Sequence, residues 1–150
     1  MTDTKGFIEQ QIIKAVKGLL TGHVNEILEK WEFLIPIIEF GNISGNYAMA
    51  PVVMITDCEQ TEKERVIRLD AYTVLINLKL QEHEDGELFC YAYSGAVGRA
   101  LYNDPTIGGI AERAVITGKK YVAPKKLNCG EGWGLVITLR VTTEGVGNDG

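Results

Sequence analysis

The sequence predicts an α+β fold in which a mainly antiparallel β-sheet is packed by two main helices. Apolar residues recur at helical spacing near the amino terminus and again near residues 85–103, and β-branched segments with strand-like patterning lie between and after them. The 150 residues are 45% hydrophobic and 23% charged, which is ordinary for one domain with a core. We therefore expect one domain over residues 1–150, with flexible ends at 1–4 and 145–150.

The charge and the cysteines limit the classes of function. A net charge of -5 repels a phosphate backbone, so a general DNA or RNA binder is not expected. The amino terminus lacks the pattern of a signal peptide, and no apolar run reaches the roughly 18 residues of a membrane span, which predicts a cytosolic protein. Cys58, Cys90 and Cys129 are odd in number and far apart, which indicates reduced, mostly packed thiols rather than a disulfide framework.

The first predicted helix covers residues 4–20. Its apolar positions recur every three or four residues, and Thr21 and Gly22 then interrupt the pattern. A second short period over residues 24–31 indicates either a continuation of this helix or a separate insertion. These residues are followed by "FLIPIIEF" (33–40), which Pro36 makes an edge strand or an irregular segment.

Two segments of the middle third predict an antiparallel hairpin. "PVVMIT" (51–56) and "VIRLDAYTVLINLKL" (66–80) are rich in β-branched residues, and the charged "DCEQTEKER" (57–65) between them predicts a long solvated loop. The latter half of the second strand is apolar on both faces, so we expect it to be covered on both.

The central helix is predicted at residues 85–103. Asp85 is positioned to cap it, Glu87 suits the positive end of its dipole, and Pro105 marks its end. Residues 110–122 and 132–144 predict two further strands, the last of them half exposed. The expected buried stripe of the helix comprises Leu88, Phe89, Ala92, Ala96, Val97, Ala100 and Leu101.

No motif for catalysis, cofactor binding or metal binding emerges, and we predict no residue for any of them. The glycines of "GEGWG" (130–134) precede a strand and those of "IGG" (107–109) follow a helix, so both predict turns rather than phosphate loops. His23 and His83 lie far from each other and from every cysteine, which disfavours zinc. Ser94 is inside a helix, unlike a hydrolase nucleophile.

One basic cluster is the candidate interaction site. It comprises Lys119, Lys120, Lys125 and Lys126 together with Arg140. Two interpretations are open. In the first, these cations form a local positive patch that binds an acidic partner or a DNA backbone. In the second, they are the solvated rim of a hairpin. The turn-like composition of "KKYVAPKK" favours the rim.

Two segments carry a resemblance to a known family. "ELFCYAYSGAVGRALYNDPTIGGIAERAVITGKKYVAPKK" (87–126), followed by "GWGLVITLRVTTEG" (132–145), resembles the tail terminator, or tail-completion, proteins and the related neck proteins of long-tailed phages and prophages. The stretch "TIGGIAERAVI" (106–116) is the most telling part. The similarity in layout covers nearly the whole chain, and no catalytic motif defines the family.

The resemblance implies a structural virion protein rather than an enzyme. Members of the family form a six-membered ring on the head-proximal end of the tail tube, where they end polymerisation of the major tail tube protein and meet the head connector protein. DNA is contacted only by its passage through the ring, and no cofactor or membrane is involved. The implied location is the host cytoplasm during assembly and then the virion tail. Strand edges near "CEQTEKER" and "GNISGNYAMA" are candidates for the contacts between copies.

Two alternatives remain at this point. One is a head-tail connector or other neck component, which shares the same layout. The other is a small ligand-binding or enzyme domain that uses a cleft beside the helix of Cys90, lined by Tyr91, Tyr93 and the lysine cluster.

Overall fold

A computed structural model describes residues 7–31, 35–40, 49–62, 67–125 and 131–146. It confirms the α+β fold: a four-stranded antiparallel sheet of order β1-β2-β4-β3 is packed by helices. The predicted flexible residues 1–4 lie outside the described residues, as do 147–150, whereas 145 and 146 belong to the last strand. The elements are α1 (Ile8–Leu19), a π-helical turn (Leu20–Val24), α2 (Asn25–Lys30), β1 (Met49–Glu62), β2 (Ile67–Gln81), α3 (Gly86–Asn103), β3 (Arg113–Val122) and β4 (Glu131–Val146).

The amino-terminal helix continues through the predicted interruption. Thr21 lies in the π-helical turn, where its hydroxyl donates to the carbonyl of Lys17 at 3.0 Å. Buried residues recur every four positions from Ile12 to Leu28, a spacing that drifts by about 40° per step in a regular α-helix. Because a π turn holds more residues than an α turn, it counters this drift and keeps one apolar face on the core.

The segment after α2 is irregular. This is one of the two structures that Pro36 predicts there, the other being an edge strand. Residues 35–39 form no helix or strand. The Asn25 side chain holds this segment by accepting from the Ile38 N–H and donating to the Ile38 carbonyl, both at 2.8 Å. The Tyr93 hydroxyl donates to the Pro36 carbonyl at 2.6 Å.

The predicted long loop between the first two strands is wrong. Residues 57–62 continue β1 and pair with β2, and residues 63–66 lie outside the described residues. Asp57 and Glu59 are tolerated in a strand because their side chains are exposed at the edge of the sheet. A register shift between Ile55 and Asp57 makes Thr56 a bulge.

The sheet has a helix face, which the helices cover, and an open face on its other side. Three directly paired rows of β2 and β4 build the centre of the helix face: Tyr72 with Val141, Val74 with Leu139, and Ile76 with Ile137. The prediction that β2 is covered on both faces is wrong, since Asn77 and Lys79 are exposed on the open face. An antiparallel sheet commonly leaves one face solvated in this way.

Helix α3 has the predicted bounds but a different cap and stripe. Asp85 occupies the N-cap position without a side-chain bond, and its N–H instead donates to Nδ1 of His83 at 2.9 Å. Leu88 is 40% exposed, whereas Cys90 and Tyr93 are fully buried. The buried surface is wider than predicted because α3 contacts α2 and the π-helical turn as well as β3 and β4.

The two glycine-containing stretches allow a backbone bend and a close approach between strands. The bend at "IGG" is confirmed: Ile107, Gly108 and Gly109 all have positive φ, and the Gly108 N–H donates to the Asp104 carboxylate at 2.9 Å. In "GEGWG", Gly132 lies in β4 rather than in a turn. A Cβ at Gly132 would collide with the backbone carbonyl of Leu80, so this glycine permits a close approach of two strands. Gly130 lies outside the described residues.

Candidate assembly surfaces

Both outer strands of the sheet have one neighbour each. β1 pairs only with β2, and β3 pairs only with β4, so in the part of the chain that the structure describes no further strand lies beside either of them. The Ala114 N–H of β3 is nevertheless occupied, because it donates to the Pro105 carbonyl at 2.7 Å. Unpaired N–H and C=O groups along a strand are a template for another strand. Each edge is long enough for such pairing, with 14 residues in β1 and 10 in β3.

The two outer strands carry opposite charge. We call β1 the acidic edge, because its sequence contains Asp57, Glu59 and Glu62 and no lysine or arginine. We call β3 the basic edge, because it contains Arg113, Lys119 and Lys120 and no aspartate or glutamate. The sequence alone does not predict this difference in charge between the two strands, because it places the acidic residues in a loop rather than in β1.

The open face carries exposed apolar side chains beside the acidic edge. Val52 and Met54 are 44% and 41% exposed. They neighbour the half-buried Leu75 and Val136, because Met54 pairs with Leu75 and Asn77 joins Val52 to Val136. Contiguous exposed apolar side chains commonly mark an interaction site.

The structure divides the predicted basic cluster between the two faces of the sheet. Lys120 and Arg140 lie on the open face, whereas Lys119 lies on the helix face beside α3. Arg140 pairs across the sheet with Glu59 at 3.6 Å, and both side chains are about half exposed or more. Lys125 follows the end of β3, and Lys126 lies outside the described residues.

A bulge in β3 causes this division. The register with β4 shifts between Ile116 and Gly118, so Thr117 is an extra residue. Beyond it, Lys119 and Tyr121 turn to the helix face, where the Tyr121 hydroxyl donates to Oγ of Ser94 at 2.9 Å. The signal for this bulge in the sequence was a lone glycine, Gly118, inside a strand pattern.

The two tyrosines proposed to line a ligand cleft beside the helix of Cys90 do not meet in one. Cys90 and Tyr93 are buried in the core, whereas Tyr91 is exposed and donates from its hydroxyl to Glu87 at 2.7 Å. Burial raises the pKa of the Cys90 thiol to about 11, so it is protonated near neutral pH. A groove of about 550 Å³ does lie between α3 and β3, and of the proposed residues only Lys119 lines it.

Further observations concern metals and membranes. Within residues 7–31, 35–40, 49–62, 67–125 and 131–146, no group of three or more His, Cys, Asp or Glu side chains is placed to hold a metal ion. Over the same residues, no helix combines the length and the apolar composition that a bilayer crossing takes.

The chain matches no protein-family model, and it matches no curated protein.

Proposed function

We propose that this chain is a tail terminator of a long-tailed phage or prophage. In this role it caps the head-proximal end of the tail tube, ends polymerisation of the major tail tube protein and forms the surface that joins the head connector. The sequence resemblance suggests the role. The observation that best supports it is that β1 and β3, on opposite sides of one sheet, each have only one neighbouring strand.

The directions of these strands suit a ring. β1 is antiparallel to β2, β2 to β4, and β4 to β3, so β1 and β3 run in opposite directions. A copy rotated about an axis roughly along the strands would therefore continue the sheet in antiparallel order. Such head-to-tail contacts use two different surfaces and close into a ring when the rotation closes.

A ring of this kind ends polymerisation through the difference between its two rims. One rim binds the last layer of tube subunits, and the other presents a surface on which the next tube layer has no complementary site. The second rim is then available to the head connector, and DNA passes through the centre. The work is done by shape and contact, which agrees with side chains such as Cys90 and Tyr93 being packed in the core.

The test is the length of tails assembled without this protein. We expect a phage or prophage deleted for the gene to produce abnormally long tails that fail to join heads, as seen by electron microscopy. Supplying the wild-type chain in trans should restore both length and joining, which controls for effects on neighbouring genes. Normal tails joined to heads in the deletion contradict the proposal, and tails of normal length that fail to join indicate a connector component instead.

A further inference from the structure

We propose that the groove between α3 and β3 binds the phosphate group of a small phosphorylated molecule. The groove has a volume of about 550 Å³, and small-molecule sites typically have volumes of about 300–1,000 Å³. Because binding is a property of the folded single chain, this inference goes beyond the capping role and does not depend on it.

Glycines on the helix and a bulge in the strand form the groove. Gly95 and Gly98 of α3 line it and have no side chains to fill it. A Cβ at Gly98 would approach nothing more closely than Cδ1 of Ile116, at 4.0 Å. On the strand side, the bulge at Thr117 turns Lys119 toward α3. The groove is therefore open beside the helix, with one ammonium group from β3 on its wall.

The charged side chains that line the groove are both cations. They are Arg99 of α3 and Lys119 of β3, and Asn103 lies one helical turn beyond Arg99 on the same side of the helix. None of the described residues that line the groove is acidic, and within those residues neither cation forms an ion pair. Glu112 and Arg113 line the neighbouring groove further along β3. The potential in the groove between Arg99 and Lys119 therefore favours an anion.

A buried hydroxyl supplies a further donor. Ser94 lines the groove although only 2% of its surface is exposed. Its Oγ accepts from the Tyr121 hydroxyl at 2.9 Å, because a phenol is a stronger donor than an aliphatic hydroxyl. In the part of the chain that the structure describes, the proton of Ser94 itself has no acceptor. A buried donor without an acceptor is unfavourable, so an oxygen atom of a ligand in the groove would satisfy it.

This set of donors matches a phosphate better than a carboxylate. A phosphate monoester has three acceptor oxygens and a charge of about -1.5 to -2 near neutral pH, whereas a carboxylate has two oxygens and a single charge. The two cations match the larger charge, and the guanidinium of Arg99 can donate to two oxygens at once. The hydroxyl of Ser94 and the ammonium of Lys119 are then available for the third oxygen.

Titration of the full-length chain tests whether the phosphate is recognised. AMP, ribose 5-phosphate and adenosine are added separately to ¹⁵N-labelled protein, and the amide signals of Gly95, Gly98 and Lys119 are followed by NMR. We expect saturable shifts with AMP, and at least tenfold weaker binding of adenosine because it lacks the phosphate. No saturable binding of either phosphate compound overturns the proposal, and so does equal affinity for AMP and adenosine.

The same titrations distinguish two sources of the phosphate. Tyr102 lines the groove and is 87% exposed, so its ring is available for a base to stack on. Tighter binding of AMP than of ribose 5-phosphate, with the difference removed by Tyr102→Ala, supports a nucleotide. Equal affinities for the two compounds support a sugar phosphate.

Two adjacent lysines provide matched variants. Lys119→Gln should weaken the binding of AMP at least fivefold, because it removes a cation from the groove. Lys120→Gln makes the same change in net charge on the open face and should alter the affinity by less than twofold. Equal losses in the two variants overturn the proposal, because they would show a general effect of charge rather than a site.

A second pair of variants tests the hydroxyl of Ser94. Ser94→Ala and Tyr121→Phe both remove the hydrogen bond between these side chains, but only Ser94→Ala removes the proton offered to the groove. We expect at least fivefold weaker binding of AMP for Ser94→Ala and less than a twofold change for Tyr121→Phe, with circular dichroism as the check on folding. Equal effects in two folded variants contradict the assigned role of Ser94. If Ser94→Ala does not fold, the two lysine variants still decide the proposal.

Discussion

The two faces of the sheet differ in how deeply their side chains are buried and therefore in how much they contribute to stability. On the helix face, the paired residues Ile76 and Ile137 are completely buried under the helices. On the open face, the neighbouring Val52 and Met54 keep more than two fifths of their surface exposed. Burial of apolar surface is the main stabilising contribution to folding. The helix face therefore holds the fold together, whereas the open face contributes less to stability and remains partly exposed.

The largest expected difference is between Ile137 and its neighbour Thr138. Ile137→Ala should lower the free energy of unfolding by about 2–5 kcal/mol, because it leaves a cavity in a closely packed core. Thr138→Ala, on the open face, should change it by less than about 0.5 kcal/mol. Chemical denaturation of both variants measures the difference, and equal losses would contradict the division of the faces.

Two strand glycines should differ in nearly the same way. Gly132→Ala introduces a Cβ that collides with the carbonyl of Leu80, so we expect a loss of about 1–3 kcal/mol in unfolding free energy. Gly118→Ala is the control, because a Cβ at Gly118 has no atom within 4 Å. Thermal unfolding should show the loss at Gly132 alone, and a tolerated Gly132→Ala would count against the strand approach described for β2 and β4.

The buried amide of Asn25 should matter more than the exposed amide of Asn77. Asn25→Ala leaves the N–H and the carbonyl of Ile38 without their side-chain partners. We expect a loss of about 1–3 kcal/mol in unfolding free energy, against less than about 0.5 kcal/mol for Asn77→Ala. Similar values for the two variants, measured by denaturant titration, would show that the segment at 35–40 is not held as described.

The buried thiol of Cys90 predicts a loss of stability in alkali. Its pKa is raised by burial from 9.0 to about 11, so it stabilises the fold fully below about pH 9. That contribution is lost as pH rises through the folded pKa, because the folded state disfavours the thiolate that the unfolded state accepts. Melting temperatures at pH 8–11 should fall less steeply for Cys90→Ala than for the wild type. The same slope in both would contradict this role for Cys90.

The open face should show the smallest effect on stability and a large one on assembly. Val52→Ser combined with Met54→Ser should cost only about 1 kcal/mol in unfolding free energy, because both side chains are already partly exposed. We expect the folded double variant to fail in restoring normal tail length to a deletion of the gene. Full complementation would show that this part of the open face makes no essential contact.

The sequence was most informative where periodicity and burial agree. α3 was predicted nearly to the residue, because its apolar pattern and Pro105 act together. The sequence did not predict that β1 continues through its acidic half, because the local composition there is typical of a loop. The pairing with β2 makes this segment a strand. The two faces of the basic cluster were missed because one extra residue, Thr117, reverses the side of every residue after it. Gly118 was the only local sign of that reversal.

The position of a tagged copy on the assembled particle tests the capping role most directly. We expect immunoelectron microscopy to place the tag at a single point, the head-proximal end of the tail tube, and to leave the rest of the tube unlabelled. Labelling along the whole tube or at the distal tip, or particles that carry no tag while an untagged control assembles normally, would contradict a terminator.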